Sequence, residues 1–580
     1  MRTHNDWSSR TGILGLGMFL ALFAWKTSFA AEAPASDAQK STPRSSVSPQ
    51  TASNSATSTT QPGPPTDWID PATGHRIIRL SQEPGTSSLY FHQNAYNQRG
   101  DKLFVTITTR PPGRASERPA DAPPSDDAQP NGRGASLGQD NSQPPGAGFF
   151  PGTGSLAVID LSTLGKSPPK VEKIADGFAR GAVVSKKSGN VYYIRSELVG
   201  DTRVDTVVAT NLDTHETREI GKLPFRGGSG LAVNADETLL AGSYAIGGGR
   251  GSQQAGSEGK SAGGEAEGKS GSADGKTNNA KSNGVSGDRP AEGRVAPPGD
   301  GGPGDVVPGG GNANSTPDSA QRQIRNFASR ERSIAARFAA HQPMKLFTMD
   351  IKTGETNTFH PSTDWLNHVQ FSQTDPQLMM FCHEGPWHQV DRIWTIHPGS
   401  DEARLMHPRT MPNEIAGHEF FGSDGKTIWY DLQTPRSGQF WLAGVNVDTG
   451  ERLRYPIERS LWSVHYNQSH DGKLFAGDGG GPGSVANRTP LPENKPLDPP
   501  GNGEWIYLFT PIPGEMQTMQ VGGETVKVGK FKAEKLVDMS KHNYEFEPNL
   551  TFTPDDKWIV FRSNMHGPVH TYAVEIAKAQ

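Results

Sequence analysis

The chain has 580 residues, 33% of them hydrophobic, with 68 glycines and 46 prolines. That is apolar-poor for the length, so globular stretches must alternate with segments that have no core to bury. A formal net charge of -5 gives no ground to expect nucleic acid, and the single cysteine, Cys382, excludes an internal disulfide framework.

Arg2 and Arg10 flank the start of an apolar run from Thr11 to Trp25, and Ser28-Phe29-Ala30 supplies small residues for cleavage. The run is too short to span a membrane comfortably. Residues 1–30 therefore read as a secretory signal peptide, with a retained anchor as the alternative. The mature chain is expected to be exported across the inner membrane into the periplasm, without stable membrane insertion. Residues 31–66, rich in Ala, Ser, Thr, Pro and Gln, read as a disordered linker.

From Asp67 to the end, a strand–turn–strand unit recurs with a period of about fifty residues wherever no insertion intervenes. It appears at Tyr96–Val105, Ala182–Ile194, Leu231–Ser243, Val369–Cys382, His418–Asp431, His465–Asp478 and Leu550–Ser563. A second hairpin follows in the pattern of Val207–Ile220, Leu346–Phe359 and Val445–Tyr455, often turned by Asp-Thr-Gly-like residues. Four strands per repeat, arranged radially, predict an all-β fold: a seven-bladed β-propeller over residues 67–580. The last repeat ends one strand short after His570–Ile576, and His75–Leu80 is the surplus strand that would close the ring and remove its edges.

Low-complexity stretches at about 110–154, 247–317 and 479–503 fall between the second and third strands of their repeats and are expected to be disordered insertions. Asp318 to Ala340 differs. Ile324, Phe327, Ile334 and Phe338 have helical spacing, with Arg322, Arg325, Arg330, Arg332 and Arg337 around them, so a short inserted helix is expected.

In up-and-down blades the first strand starts, and the second ends, on one face of the ring. Asp424-Gly425 and Asp471-Gly472 turn the chain on the other face. His92, Gln93, Asn94, Asn367, His368, His418 and His465 open first strands, while His383, Arg392, Asn564 and His566 follow second strands. All are expected at one mouth of the channel. Histidine suits both metal ligation and proton transfer near neutral pH. His542, Glu547 and Asn549 in the last blade add nitrogen and oxygen donors of the kind that hold a hard or borderline divalent cation. No Gly-x-Ser-x-Gly stands between a predicted strand and a helix, the context a nucleophile elbow needs, which disfavours a serine peptidase.

The motifs Phe381-Cys382-His383-Glu384-Gly385-Pro386, Asp391-Arg392 with Trp394, His418-Glu419-Phe420, His465 upstream of Asp471-Gly472, and Phe552-Thr553-Pro554-Asp555-Asp556-Lys557 together resemble the oligogalacturonate lyase family. Its members are seven-bladed propeller enzymes that cleave short pectin fragments by β-elimination. The resemblance implies that His418 is the general base, Arg392 the assisting arginine and His465 a ligand of a manganese ion. Two family metal-binding histidines are replaced here by Glu547 and Asn549, and His542 is the counterpart considered for a family glutamine. His383, His368 and Gln93 are expected to bind substrate. More oxygen donors bring Ca2+ and Mg2+ into consideration beside Mn2+. The expected activity is metal-assisted cleavage of uronate oligosaccharides, an acidic partner. Two alternatives are a lyase for a different uronate oligomer and a non-catalytic extracytoplasmic propeller that binds acidic sugars or a protein.

Overall fold

Seven times along the chain the same backbone bond closes a hairpin. The amides of Asn97, Ser185, Asn234, Ser372, Gly422, Ser469 and Thr553 donate to the carbonyls of Lys102, Asn190, Leu239, Leu378, Thr427, Leu474 and Trp558. Each bond joins the first two strands of one blade, and the seven blades form a ring. The computed structural model describes residues 64–108, 154–200, 202–226, 230–247 and 317–579, apart from the side chains of 317–320 and 322. The expected signal peptide, most of the linker and the first two insertions lie outside the described residues. Among the described residues no helix is long and apolar enough to cross a membrane.

Blades two, three and four are four-stranded antiparallel sheets, as in Trp365–Phe371, Met379–Glu384, Ile393–Ile396 and Arg404–Leu405 of blade four. Their second and third strands are buried on both faces, and neighbouring blades share apolar clusters. Phe381 and Met379 of blade four pack with Leu346 and Phe359 of blade three, while Met380 and Ile393 pack with Ile428 and Val445 of blade five. Such packing explains why these strands read as nearly continuous apolar runs.

The ring closes as expected. His75–Arg79 pairs antiparallel with His570–Lys578, placing Ile77 opposite Val574 and Arg79 opposite Tyr572. A fifth strand, Asp67–Ile69, then covers the outer edge of that strand. A further feature was not anticipated: the hairpin Gln517–Val521 and Glu524–Val528, inserted before the last strand of blade six. Gly522 and Gly523, both at positive φ (61° and 84°), make its two-residue turn. The hairpin adds parallel to Arg452–Ile457 at the edge of blade five, where Glu524 pairs with Arg452 and Arg454.

The expectation of disorder for 479–503 is corrected. This segment is folded, with Gly479 through Asn487 largely buried and Val485 and Ala486 in an apolar cluster with Trp462 and Tyr507. Its glycines serve close packing. A Cβ on Gly481 would stand 2.7 Å from Gln323 and 2.6 Å from Tyr544, and one on Gly483 would stand 3.1 Å from the Gln323 carbonyl. Gln323 belongs to the single α-helix among the described residues, Pro317–Ala339, here α1. The composition that suggested an unstructured loop is the seat of that helix.

Helix α1 lies across the ring face. Phe327 packs beneath Arg436 and Arg488, Phe338 packs against Gly385 and Val390, and Arg337 stacks over Trp365 at 3.5 Å. Asn326 donates to Glu545 at 2.7 Å, and Glu331 pairs with Arg436. Blades four to seven thus each hold part of the helix.

Ring closure gives a test. Ile77 is 1% exposed within the cluster of Val574, Tyr572 and Phe561. Ile77→Ala should cost about 2–5 kcal/mol in urea unfolding, because the closing strand loses its main apolar anchor.

Candidate active site at the channel mouth

Four residues before each hairpin-closing amide stands an equivalent first-strand position: Gln93, Gly181, Gly230, His368, His418, His465 and Asn549. At several of these the first strand bulges. The register shifts between Arg180 and Val183, between Asn367 and Gln370, and between Gly417 and Phe420. Gly181, His368, His418 and Asn549 have positive φ (63°, 48°, 52° and 50°). For a non-glycine residue this conformation costs of order 1–3 kcal/mol, and a bulge re-aims the side chain at such places. The strain is concentrated where the polar groups converge.

The segment before Gln93 enters the same space. Tyr90, Phe91 and His92 pack among the histidines, with the Tyr90 ring 5.3 Å from His465 and 5.5 Å from His368, and Phe91 4.6 Å from His465. The ring of His418 stands 4.7 Å from that of His465 and 5.1 Å from Trp387. Burial, reinforced by His465 and Arg392, holds His418 well below the usual histidine range, so it is neutral at pH 7. Its Nδ1 is buried without a hydrogen-bond partner.

Beside it lies a charged cluster. Arg392 is 1% exposed, and its Nε and Nη1 donate at 2.8 Å to Glu419 and Glu384 respectively. Its Nη2 is 3.4 Å from His368 Nδ1, which is also 3.1 Å from Glu419. Burial alone would raise Glu384 and Glu419, but the guanidinium outweighs it and keeps both ionised. Two carboxylates against one guanidinium leave a local excess of negative charge. Arg392 is not available to grip a substrate carboxylate here, since it is buried and its Nε and Nη1 are held by Glu419 and Glu384. It positions His368 and Glu419 and raises the local potential near His418.

The cation donors expected in the last two blades are partly assembled. Asp478 accepts from His465 Nδ1 at 2.7 Å, so Nε2 presents its lone pair. That Nε2 lies 3.8 Å from Glu547 Oε2 and has no hydrogen-bond partner, and neither has Oδ1 of Asn549. One bare imidazole nitrogen, a carboxylate oxygen and an amide oxygen fit a divalent cation. His542 does not join them. Its ring nitrogens contact Ser563 Oγ at 3.0 Å and the Phe546 carbonyl at 2.6 Å, so it braces the Glu547 loop instead of facing the cation donors. The donors of His368, Cys382 and Glu419 also lie within 4.8 Å of one another. Arg392 already occupies that space, and burial pushes the Cys382 thiol well up, leaving it protonated and a poor ligand.

Other expected positions separate. His383 points to the opposite side of its strand from Glu384, toward Trp394 (4.8 Å) and Asp364 (3.5 Å). Gln93 lines the channel toward the hairpin-turn face, with Lys186, Asn467 and His470. Asn94 bonds the Tyr96 and Val184 carbonyls, and His566 packs on Trp68, 5.3 Å away. Sequence reasoning missed Tyr90, Phe91, Glu384, Glu419, Asp478 and Trp387 as members of the site. Glu384 and Glu419 sit inside the motifs already singled out, and strand alternation placing Cys382 and Glu384 on one face was the available signal.

Fold and site together define a class: a seven-bladed propeller with buried histidines, carboxylates and an arginine at one channel mouth. Comparison with known proteins narrows it. Residues 333–579 match the family model described as oligogalacturonate lyase. Over 243 residues the chain is 28% identical to the oligogalacturonate lyase of Dickeya dadantii and 25% identical to the oligogalacturonide lyase of Pectobacterium atrosepticum. Each match covers 40% of this chain and 55% of the relative, so the chain spans about half the length of these curated relatives. A solved oligogalacturonate lyase in complex with manganese superposes with a TM-score of 0.51 at 17% identity, covering 88% of this chain and 96% of that one. The oligogalacturonate lyase of Vibrio parahaemolyticus gives 0.51 at 16%, with the same coverage. Over residues 333–579 the chain is thus similar to the oligogalacturonate lyase family, in the segment that carries most of the motifs that resemble it.

Two outcomes follow from the electrostatics. Removing the central guanidinium by Arg392→Leu should destabilise the protein by about 3–5 kcal/mol in denaturant unfolding, because two buried carboxylates lose their partner. Burial holds His542 at about 3, below the ordinary value near 6.5. Its contribution is therefore complete above pH 6.5 and declines as pH falls toward 3. Between pH 6.5 and 5 it should cost on the order of 2 kcal/mol. A His542→Asn protein should show a correspondingly flatter fall in unfolding free energy over that window.

Proposed function

We propose that the chain is an oligogalacturonate lyase-like enzyme that cleaves uronate oligosaccharides by β-elimination and acts outside the cytoplasm. The observation that carries this reading is His418, a buried neutral imidazole with a partnerless Nδ1, directly beside the bare Nε2 of His465. The proton next to a uronate carboxylate is weakly acidic, and a neutral histidine held in place can take it. Removing that proton places negative charge on the carboxylate oxygens. A divalent cation held by His465, Glu547 and Asn549 would stabilise that charge. Manganese is the first ion to test, given the solved relative that contains it. Burial keeps His418 unprotonated, with His465 and Arg392 adding to the effect, while Phe91 and Trp387 pack against its ring.

The test is formation of unsaturated uronate products, followed by their absorbance, from a panel of uronate oligomers with and without added metal. His418→Ala should lower turnover by roughly 10²–10⁴-fold, with folding and metal content unchanged. Full turnover by folded His418→Ala protein would remove the base assignment. No product from the unmutated protein across the panel would favour a binding role. Glu547→Ala should lower bound metal measured on the purified protein; equal content in both would take Glu547 out of the cation site.

A further inference from the structure

An acidic oligosaccharide needs cationic partners for carboxylates other than the one at the reacting carbon, and Arg392 cannot supply one. A cation beside the cluster that keeps solvent access is Arg330, on the inserted helix α1. Its side chain is 49% exposed, and its Nη1 donates to Glu547 Oε1 at 2.7 Å, the oxygen opposite the one that faces His465. Among the described residues its guanidinium forms no other hydrogen bond. One donor is therefore pinned at the site, and the rest of a planar fork faces the open mouth.

The helix holds this position firmly. One turn before Arg330, Phe327 is wedged under Arg436 and Arg488, and two turns after it Arg337 and Phe338 are fixed on Trp365 and against Gly385. Asn326 and Glu331 are tied to Glu545 and Arg436. A guanidinium held on one edge by a carboxylate and open on the other is pre-organised to accept a second carboxylate in two-pronged fashion. Residue 330 also lies outside the matched family segment, 333–579.

We propose that Arg330, presented by helix α1 and oriented by Glu547, binds a substrate carboxylate on a sugar unit next to the one that reacts, and so selects acidic oligomers over neutral ones. This rests on the uronate reading above, but its test does not need turnover. Calorimetric binding of a trigalacturonate and of the same trimer with its carboxyl groups reduced to alcohols would be measured on the full-length protein at fixed manganese. The unmutated protein should prefer the acidic trimer. Arg330→Gln should weaken acidic-trimer binding by roughly tenfold or more, as expected for losing a charge-assisted bidentate contact, and leave the neutral trimer unaffected. Arg330→Lys should recover only part, because it keeps the charge but not the fork. Thermal melts and metal content of each variant separate this effect from misfolding or a changed cation site.

Unchanged acidic-trimer affinity in folded Arg330→Gln, or an equal loss for both trimers, would overturn the assignment, as would an unmutated protein that binds neither trimer. Acidic-selective binding that depends on Arg330, without any unsaturated product, would keep the assignment and refute the lyase reading.

Discussion

The structure depends most on Arg392 held between Glu384 and Glu419. These three come from the end of one strand, the start of the next and the first strand of the neighbouring blade, so the ion pairs fasten blade four to blade five at the channel mouth. Such a cluster is stable only when nearly every donor and acceptor is used. Here His368 and Trp387 complete it, with the Trp387 indole donating to Glu384 at 2.8 Å. Burial beside it keeps His418 neutral, reinforced by His465 and by the Arg392 guanidinium. Blade packing and the chemistry of the mouth are therefore one problem with one solution.

A propeller repeats a backbone, and the site exploits that repetition. The seven equivalent first-strand positions share one geometry, yet carry Gln, Gly, Gly, His, His, His and Asn. The glycines of blades two and three place no side chain at that position. Blades four to seven supply the polar groups. Function is grafted on the asymmetric half of a symmetric scaffold, which is also the half that matches the family model.

The inserted helix changes what that half can do. It crosses the mouth and brings a guanidinium to the carboxylate that replaces a histidine in the family pattern. The glycine-rich segment 479–503 gives it a close-fitting seat. Without that seat Phe327 of the helix would face water. Insertion and seat form a matched pair, contributed by blades three and six.

The sequence by itself determined the blade count, the strand order and the closing strand, because alternation and turn residues are local signals repeated seven times. It also brought His368, His418, His465 and Arg392 to one mouth, since they stand at positions the repeat makes equivalent or adjacent. It did not determine which way each side chain faces. His383 and Glu384 are neighbours, and one turns outward while the other enters the cluster, a choice set by register and by the bulges of the facing strand. Composition misread Gly479 to Gly483, since glycine signals freedom unless a partner approaches closely, and that partner, α1, is more than a hundred residues earlier. Only the tertiary structure decided that His542 braces a loop, that Arg392 is buried between two carboxylates and that Arg330 reaches Glu547. Each depends on contacts between blades, where distance in sequence carries no information about distance in space.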